Sequence, residues 1–171
     1  MLGLRRPSYF MVDPSVQEVL QQVDVPYEIV ACDPDLADTA NFVKAYGYAL
    51  DDSANAIVVV GKSNPPRYVA CVVLANTRLD VNHAVKKKLG VRASFASSEE
   101  VERLTGMKIG GVTPVGIRDI PIWIDARVMT RERIIIGGGN RSSKILAPPQ
   151  LFLALPNVEV VEGLASEVEA T

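Results

Sequence analysis

The chain has 171 residues, of which 48% are hydrophobic and 22% charged, and a formal net charge of −2. That fits one globular domain able to bury about 70% of the surface its unfolded form exposes. The charge argues against a strong sequence-independent nucleic-acid binder but leaves room for weak RNA contact through a local basic patch.

Two cysteines and one histidine are too few for a disulfide framework or a His/Cys metal site, so neither metal nor cofactor is expected. No apolar run reaches membrane-spanning length. Met1 to Ser8 carries two arginines without an apolar stretch behind them, so it is not expected to be a secretory signal. The expectation is a cytoplasmic protein with no membrane or DNA partner.

Val16, Val19, Leu20 and Val23 recur at helical spacing across 14–23, and Pro26 stops that helix. Tyr27 to Val30 alternates as a short strand. A second helix is predicted over 35–46, started by Asp33-Pro34 and stopped by Gly47. Asn55–Gly61 and Tyr68–Ala75 are β-branched runs separated by six residues, which predicts an antiparallel hairpin. Leu79, Val81, Ala84, Val85 and Leu89 mark a helix closed by Gly90. Lys86, Lys87 and Lys88 in its last turn complement the helix dipole or meet RNA.

Arg92–Ala96 is strand-like. Ser97 and Glu100 have the spacing of a capping box, opening a helix that runs to Leu104. Thr105 to Gly116 then holds four glycines, two more threonine and proline turn-formers at Thr113 and Pro114, and Thr105 itself. Such a loop either makes a tight connection or lines a pocket with main-chain groups. Ile120–Asp125 is an apolar strand ending in a carboxylate. Arg131 to Ile136 leads into Gly137-Gly138-Gly139-Asn140-Arg141. Lys144 to Leu146 reads as a strand, Pro148-Pro149 opens a helix through Leu155, Val158–Val161 is a final strand, and the acidic tail from Ser166 is expected to fray. Strands interspersed with helices and hairpins predict an α/β domain with a mixed sheet.

Familiar catalytic devices find little support. His83 sits at a helical position with no serine or cysteine motif beside it. The Gly137–Gly139 turn shares part of a dinucleotide fingerprint, but an extended segment follows it where that fingerprint needs a helix. Cys71 lies in an apolar strand, and Asp33 beside Cys32 would raise its thiol pKa.

The order of pieces resembles the YbaK-type family, the editing domains associated with prolyl-tRNA synthetase that hydrolyse mischarged aminoacyl-tRNA. The resemblance rests on Leu79-Asp80, Ala96 to Val101, Leu104-Thr105-Gly106, Gly110-Gly111-Val112-Thr113-Pro114-Val115-Gly116, the strand ending in Asp125, and Gly137-Gly138-Gly139. It runs over about residues 15–163, within a single domain taken as 1–171.

It implies a barrel-like mixed sheet and a stand-alone trans-editing deacylase acting on aminoacyl-tRNA, with a synthetase as a further candidate partner. On that reading Gly110 and Gly111 supply main-chain groups to the ester and water. Thr105, Gly106, Thr113, Pro114, Gly116, Asp125, Gly137, Gly138, Gly139 and Arg141 surround the substrate. Asp125 has a second reading as a carboxylate capping the following turn. The family places a lysine at the position of Asn55. Asn55→Lys is therefore expected to strengthen hydrolysis, and the alternative function is a non-catalytic module binding aminoacyl-tRNA or an amino-acid derivative.

Overall fold

The computed structural model describes residues 12–168. Its elements are α1 (Pro14–Leu20), β1 (Glu28–Ala31), α2 (Thr39–Tyr46), β2 (Ala54–Gly61), β3 (Arg67–Leu74), β4 (Thr77–Leu79), α3 (Lys86–Leu89), β5 (Ala93–Phe95), α4 (Ser98–Thr105), β6 (Ile122–Asp125), β7 (Ile134–Gly137), β8 (Ser143–Ala147), α5 (Gln150–Leu153), β9 (Val158–Val161) and β10 (Ala165–Glu167). The Met1–Ser8 reading lies outside the described residues.

A mixed five-stranded sheet in the order β5-β2-β3-β6-β9 forms the frame. β2 and β3 make the predicted hairpin, paired antiparallel from Ala54 opposite Leu74 to Gly61 opposite Arg67. β6 lies parallel to β3, and β9 parallel to β6. The near-continuous apolar run in β3 follows from its central place, with both faces covered. Ala70, Val72 and Leu74 face the main core with α1, β7, β8 and α5, whereas Val69, Cys71 and Val73 pack with Trp123, Val85 and Leu164 on the other side.

A second, antiparallel sheet has the order β1-β8-β7. A single parallel bridge, Ser53 with Ile135, links it to the β2 side of the larger sheet. The mixed α/β domain is as expected, but the barrel-like closure is not found: the sheets form separate ladders that do not close.

The chain from Ser97 follows its local chemistry. Ser97 Oγ accepts from the Glu100 N–H at 3.1 Å and Glu100 Oε1 accepts from the Ser97 N–H at 3.0 Å, the reciprocal capping box. Three other segments depart from expectation. The helix expected from Leu79 is a strand end at Leu79, a π-helical turn over Val81–Val85 and then α3. The α5 helix is confined to Gln150–Leu153. The first residues of the tail expected to fray, Ser166 and Glu167, pair instead in β10 against β4, Ser166 opposite Arg78 and Glu167 opposite Thr77, while residues 169–171 lie outside the described residues. No described helix is long and apolar enough to cross a membrane.

Candidate active site

Where the two sheets meet, β2, β7 and β8 leave a cavity of about 280 Å³, closed by α2 on one side and the Ile109–Val112 segment on the other. Phe42, Ala56, Val112, Ile135 and Ile136 give it apolar walls, and Asp38, Thr39, Ser53, Asn55 and Lys144 its polar groups. Asn55 projects from β2, and its Oδ1 accepts from Thr39 Oγ1 at 2.6 Å. The amide N–H₂ is thereby left for another partner. Ser53 is 2% exposed, and its hydroxyl has no hydrogen-bond partner among the described residues.

Lys144 is 6% exposed. Its Nζ donates to the Ala37 carbonyl at 2.6 Å and the Gly110 carbonyl at 3.0 Å, and lies 5.4 Å from the centre of the Phe42 ring. Burial pushes this ammonium below the usual lysine range, because the charged form loses its hydration. The Cys32 thiol and Asp38 act in the opposite sense, and Arg141 in the same sense as burial.

The glycine segment is held on several sides. Arg141 Nη1 donates to the Ile109 carbonyl at 2.8 Å and reaches Asp38 Oδ1 at 3.3 Å, while its Nε donates to the Pro34 carbonyl at 3.0 Å. The Gly111 N–H donates to Lys108 O at 2.9 Å, and its carbonyl accepts from Gly139 N–H at 2.7 Å. Gly110 has φ +93°, and its N–H has no acceptor among the described residues. Gly111 is required for a different reason: a Cβ there would stand 2.2 Å from the Asn140 carbonyl oxygen. The close approach this glycine permits is between two protein loops.

Residues 33–153 match the family model described as the aminoacyl-tRNA editing domain. The chain belongs to that family. The editing domain is 23% identical to EbsC of Enterococcus faecalis, a candidate Cys-tRNA(Pro)/Cys-tRNA(Cys) deacylase, over 90% of this chain and 94% of that protein. It is also 30% identical to a proline–tRNA ligase of Shouchella clausii over 61% of this chain, which spans only 18% of the ligase. Among solved structures, a candidate trans-editing enzyme for prolyl-tRNA synthetase superposes with a TM-score of 0.76 at 25% identity, covering 92% of this chain and 99% of that one. A hypothetical protein, APE2540, shares the fold with a TM-score of 0.79 at 23% identity, over 89% and 99% of the two chains.

Within this editing domain the predicted site residues are divided. Asn55, Gly110 and Gly137 line the cavity, Gly111 adjoins it, and Arg141 braces its rim. Gly138 and Gly139 pack behind it; the Gly138 carbonyl accepts from Asp13 N–H at 2.9 Å. Thr105 and Gly106 finish α4, where Thr105 Oγ1 donates to Val101 O at 2.7 Å and Gly106 is the left-handed cap. Thr113 is fully buried. Pro114 and Gly116 line a separate groove with Glu18, Gln22 and Leu155.

Asp125 is 1% exposed and lies away from the cavity lining. Its Oδ1 accepts from Leu164 N–H at 3.2 Å, Oδ2 is buried with no hydrogen-bond partner among the described residues, and burial raises its pKa. Sequence reasoning missed Lys144, Thr39, Phe42 and Ser53. The one signal for Lys144 was a lysine opening the apolar run Lys144-Ile145-Leu146-Ala147, which an ordinary exposed strand lysine would share.

Proposed function

We propose that this editing domain is a trans-acting deacylase that hydrolyses the ester of a mischarged aminoacyl-tRNA. The observation that carries the reading is the cavity itself: a half-open space of about 280 Å³ with a Gly110 N–H unpartnered among the described residues, the Asn55 amide and the Lys144 ammonium on its walls. It holds an amino-acid side chain, while the tRNA's terminal nucleoside stays at the mouth beside the exposed Ile109. Water oxygen bonds to the ester carbon, the bond from that carbon to the ribose oxygen breaks, and the ribose oxygen leaves with a proton. The Gly110 N–H meets the carbonyl oxygen as it becomes negative. Asp38, kept at the rim by Arg141, meets the substrate's α-ammonium. Catalysis rests on positioning and main-chain electrostatics, since His83 is 86% exposed and paired with Asp80 rather than placed at the cavity.

The likeness to EbsC, a candidate Cys-tRNA(Pro)/Cys-tRNA(Cys) deacylase, makes Cys-tRNA(Pro) the first substrate to try. Release of amino acid from a panel of mischarged tRNAs tests the proposal. Turnover well above the uncatalysed rate for at least one supports it, and none at all refutes it. The second reading, a binding module without turnover, is favoured by Asn55, an uncharged amide where the family resemblance implies a lysine.

A further inference from the structure

Gly110 is flanked by two peptide units, and a cation holds the carbonyl of each. Arg141 Nη1 takes the Ile109 carbonyl at 2.8 Å, the same peptide unit that carries the Gly110 N–H. Lys144 Nζ takes the Gly110 carbonyl at 3.0 Å from the opposite side. We propose that Arg141 and Lys144 are positioning residues for ester hydrolysis, a two-cation clamp that presets the Gly110 N–H, with the Lys144 ammonium facing the oxygen that becomes negative. This rests on the deacylase reading above.

The surplus of charge argues for the clamp. A neutral lysine amine still has two N–H groups, enough for both the Ala37 and Gly110 carbonyls, so a purely structural strap needs no charge. A buried ammonium is costly unless something answers it. No carboxylate lies within ion-pair distance of Lys144 among the described residues, and Asp38, the acid that faces it, is engaged by Arg141. The Cys32 thiol is the other titratable group facing it, and burial raises that thiol's pKa, which keeps it neutral. The cavity also has unused donors, the Asn55 amide and the Gly110 N–H, while the Ser53 hydroxyl behind them is buried and has no partner among the described residues. The charge and the donors converge on a ligand oxygen.

The test compares wild type with Lys144→Met, Arg141→Met and Arg141→Lys, using a mischarged tRNA from the panel that wild type hydrolyses, with thermal midpoints measured alongside. Lys144→Met and Arg141→Met are expected to lower kcat by at least about tenfold with KM within about threefold, and Arg141→Lys to recover part of the loss. After subtraction of uncatalysed hydrolysis, wild-type kcat falls on the alkaline side at a pH below the usual lysine range, and Lys144→Met lacks that arm. A folded Lys144→Met that keeps kcat within threefold, or loses only through KM, overturns the proposal. If that variant does not fold, a wild-type profile with no alkaline fall overturns it equally. If wild type hydrolyses nothing, binding of 3′-alanylamino-3′-deoxyadenosine, whose amide carbonyl stands in for the ester, separates the two ideas. No hydrolysis at all overturns the role in ester hydrolysis together with the deacylase reading; binding weakened about tenfold in Lys144→Met would then leave the two cations only as a hold on a ligand carbonyl, whereas equal binding or none overturns that as well.

Discussion

Asn55→Lys would put a second ammonium into the cavity that already holds Lys144, which reverses the gain expected from the family alignment alone. A cavity of about 280 Å³ is roughly 8 Å across if treated as a sphere, and two unit charges at that separation repel by about 2 kcal/mol at an effective dielectric of about 20. Loss of the Thr39 hydrogen bond to Asn55 adds about 1 kcal/mol. Asn55→Lys is therefore expected to lose about 3 kcal/mol of stability and to hydrolyse more slowly than wild type. In Asn55→Lys/Lys144→Met the cation has moved from β8 to β2, and the repulsion is gone. Urea denaturation of wild type, both single variants and the double variant forms a cycle whose coupling term should be about 2 kcal/mol in favour of the double. A coupling below about 0.5 kcal/mol, or an Asn55→Lys protein as stable as wild type, would show that the two positions do not share one electrostatic space.

Gly111→Ala should cost more than about 2 kcal/mol in urea denaturation, because its Cβ meets the Asn140 backbone at 2.2 Å. Gly47→Ala, with φ +78° and open space around it, should cost about 1 kcal/mol. Ser97→Ala removes half of the α4 capping box and should cost about 1 kcal/mol, read by the same method. Burial raises the Asp125 pKa from 3.8, so the folded state binds that proton more tightly than the unfolded chain does. Wild type should then lose stability relative to Asp125→Asn as pH climbs from below the usual aspartate range through the raised value, and a difference that grows with acidification in the other direction would contradict this. Binding of uncharged tRNA should weaken steeply with salt and respond to Lys108→Glu, an exposed residue next in sequence to Ile109 of the cavity lining. Lys88 and Arg131 should matter less, being paired with Glu159 at 2.6 Å and with Asp52 at 3.0 Å.

Much of the fold was legible because its signals are local. The β2–β3 hairpin, the α4 capping box and the left-handed glycines at Gly47, Gly90 and Gly106 each depend on residues close in sequence. β4 and β10 were not legible: each has three residues, and what makes them strands is each other, 86 positions apart at Ala165 and Leu79. The site divides the same way. The glycine segment announced itself by composition, and Gly110 does line the cavity. Asp125 carried the same weight in sequence, yet it turns to the backbone of the Leu164 segment. Lys144 was missed because a lysine's burial depends on which carbonyls reach it, and Ala37 and Gly110 arrive from elements 107 and 34 residues away.

The single Ser53–Ile135 bridge bears on how such a site could be retuned over time. The two halves of the cavity wall hang on different ladders, with Asn55 and Ala56 on one and Ile135, Ile136 and Lys144 on the other. A change of side-chain volume on one half does not have to propagate through a continuous hydrogen-bonded register into the other. The seam makes the pocket a modular joint: substitutions can widen or narrow it one wall at a time, so a new acyl group can be admitted while the Gly110 segment, anchored separately by Arg141 and Gly139, stays where it is.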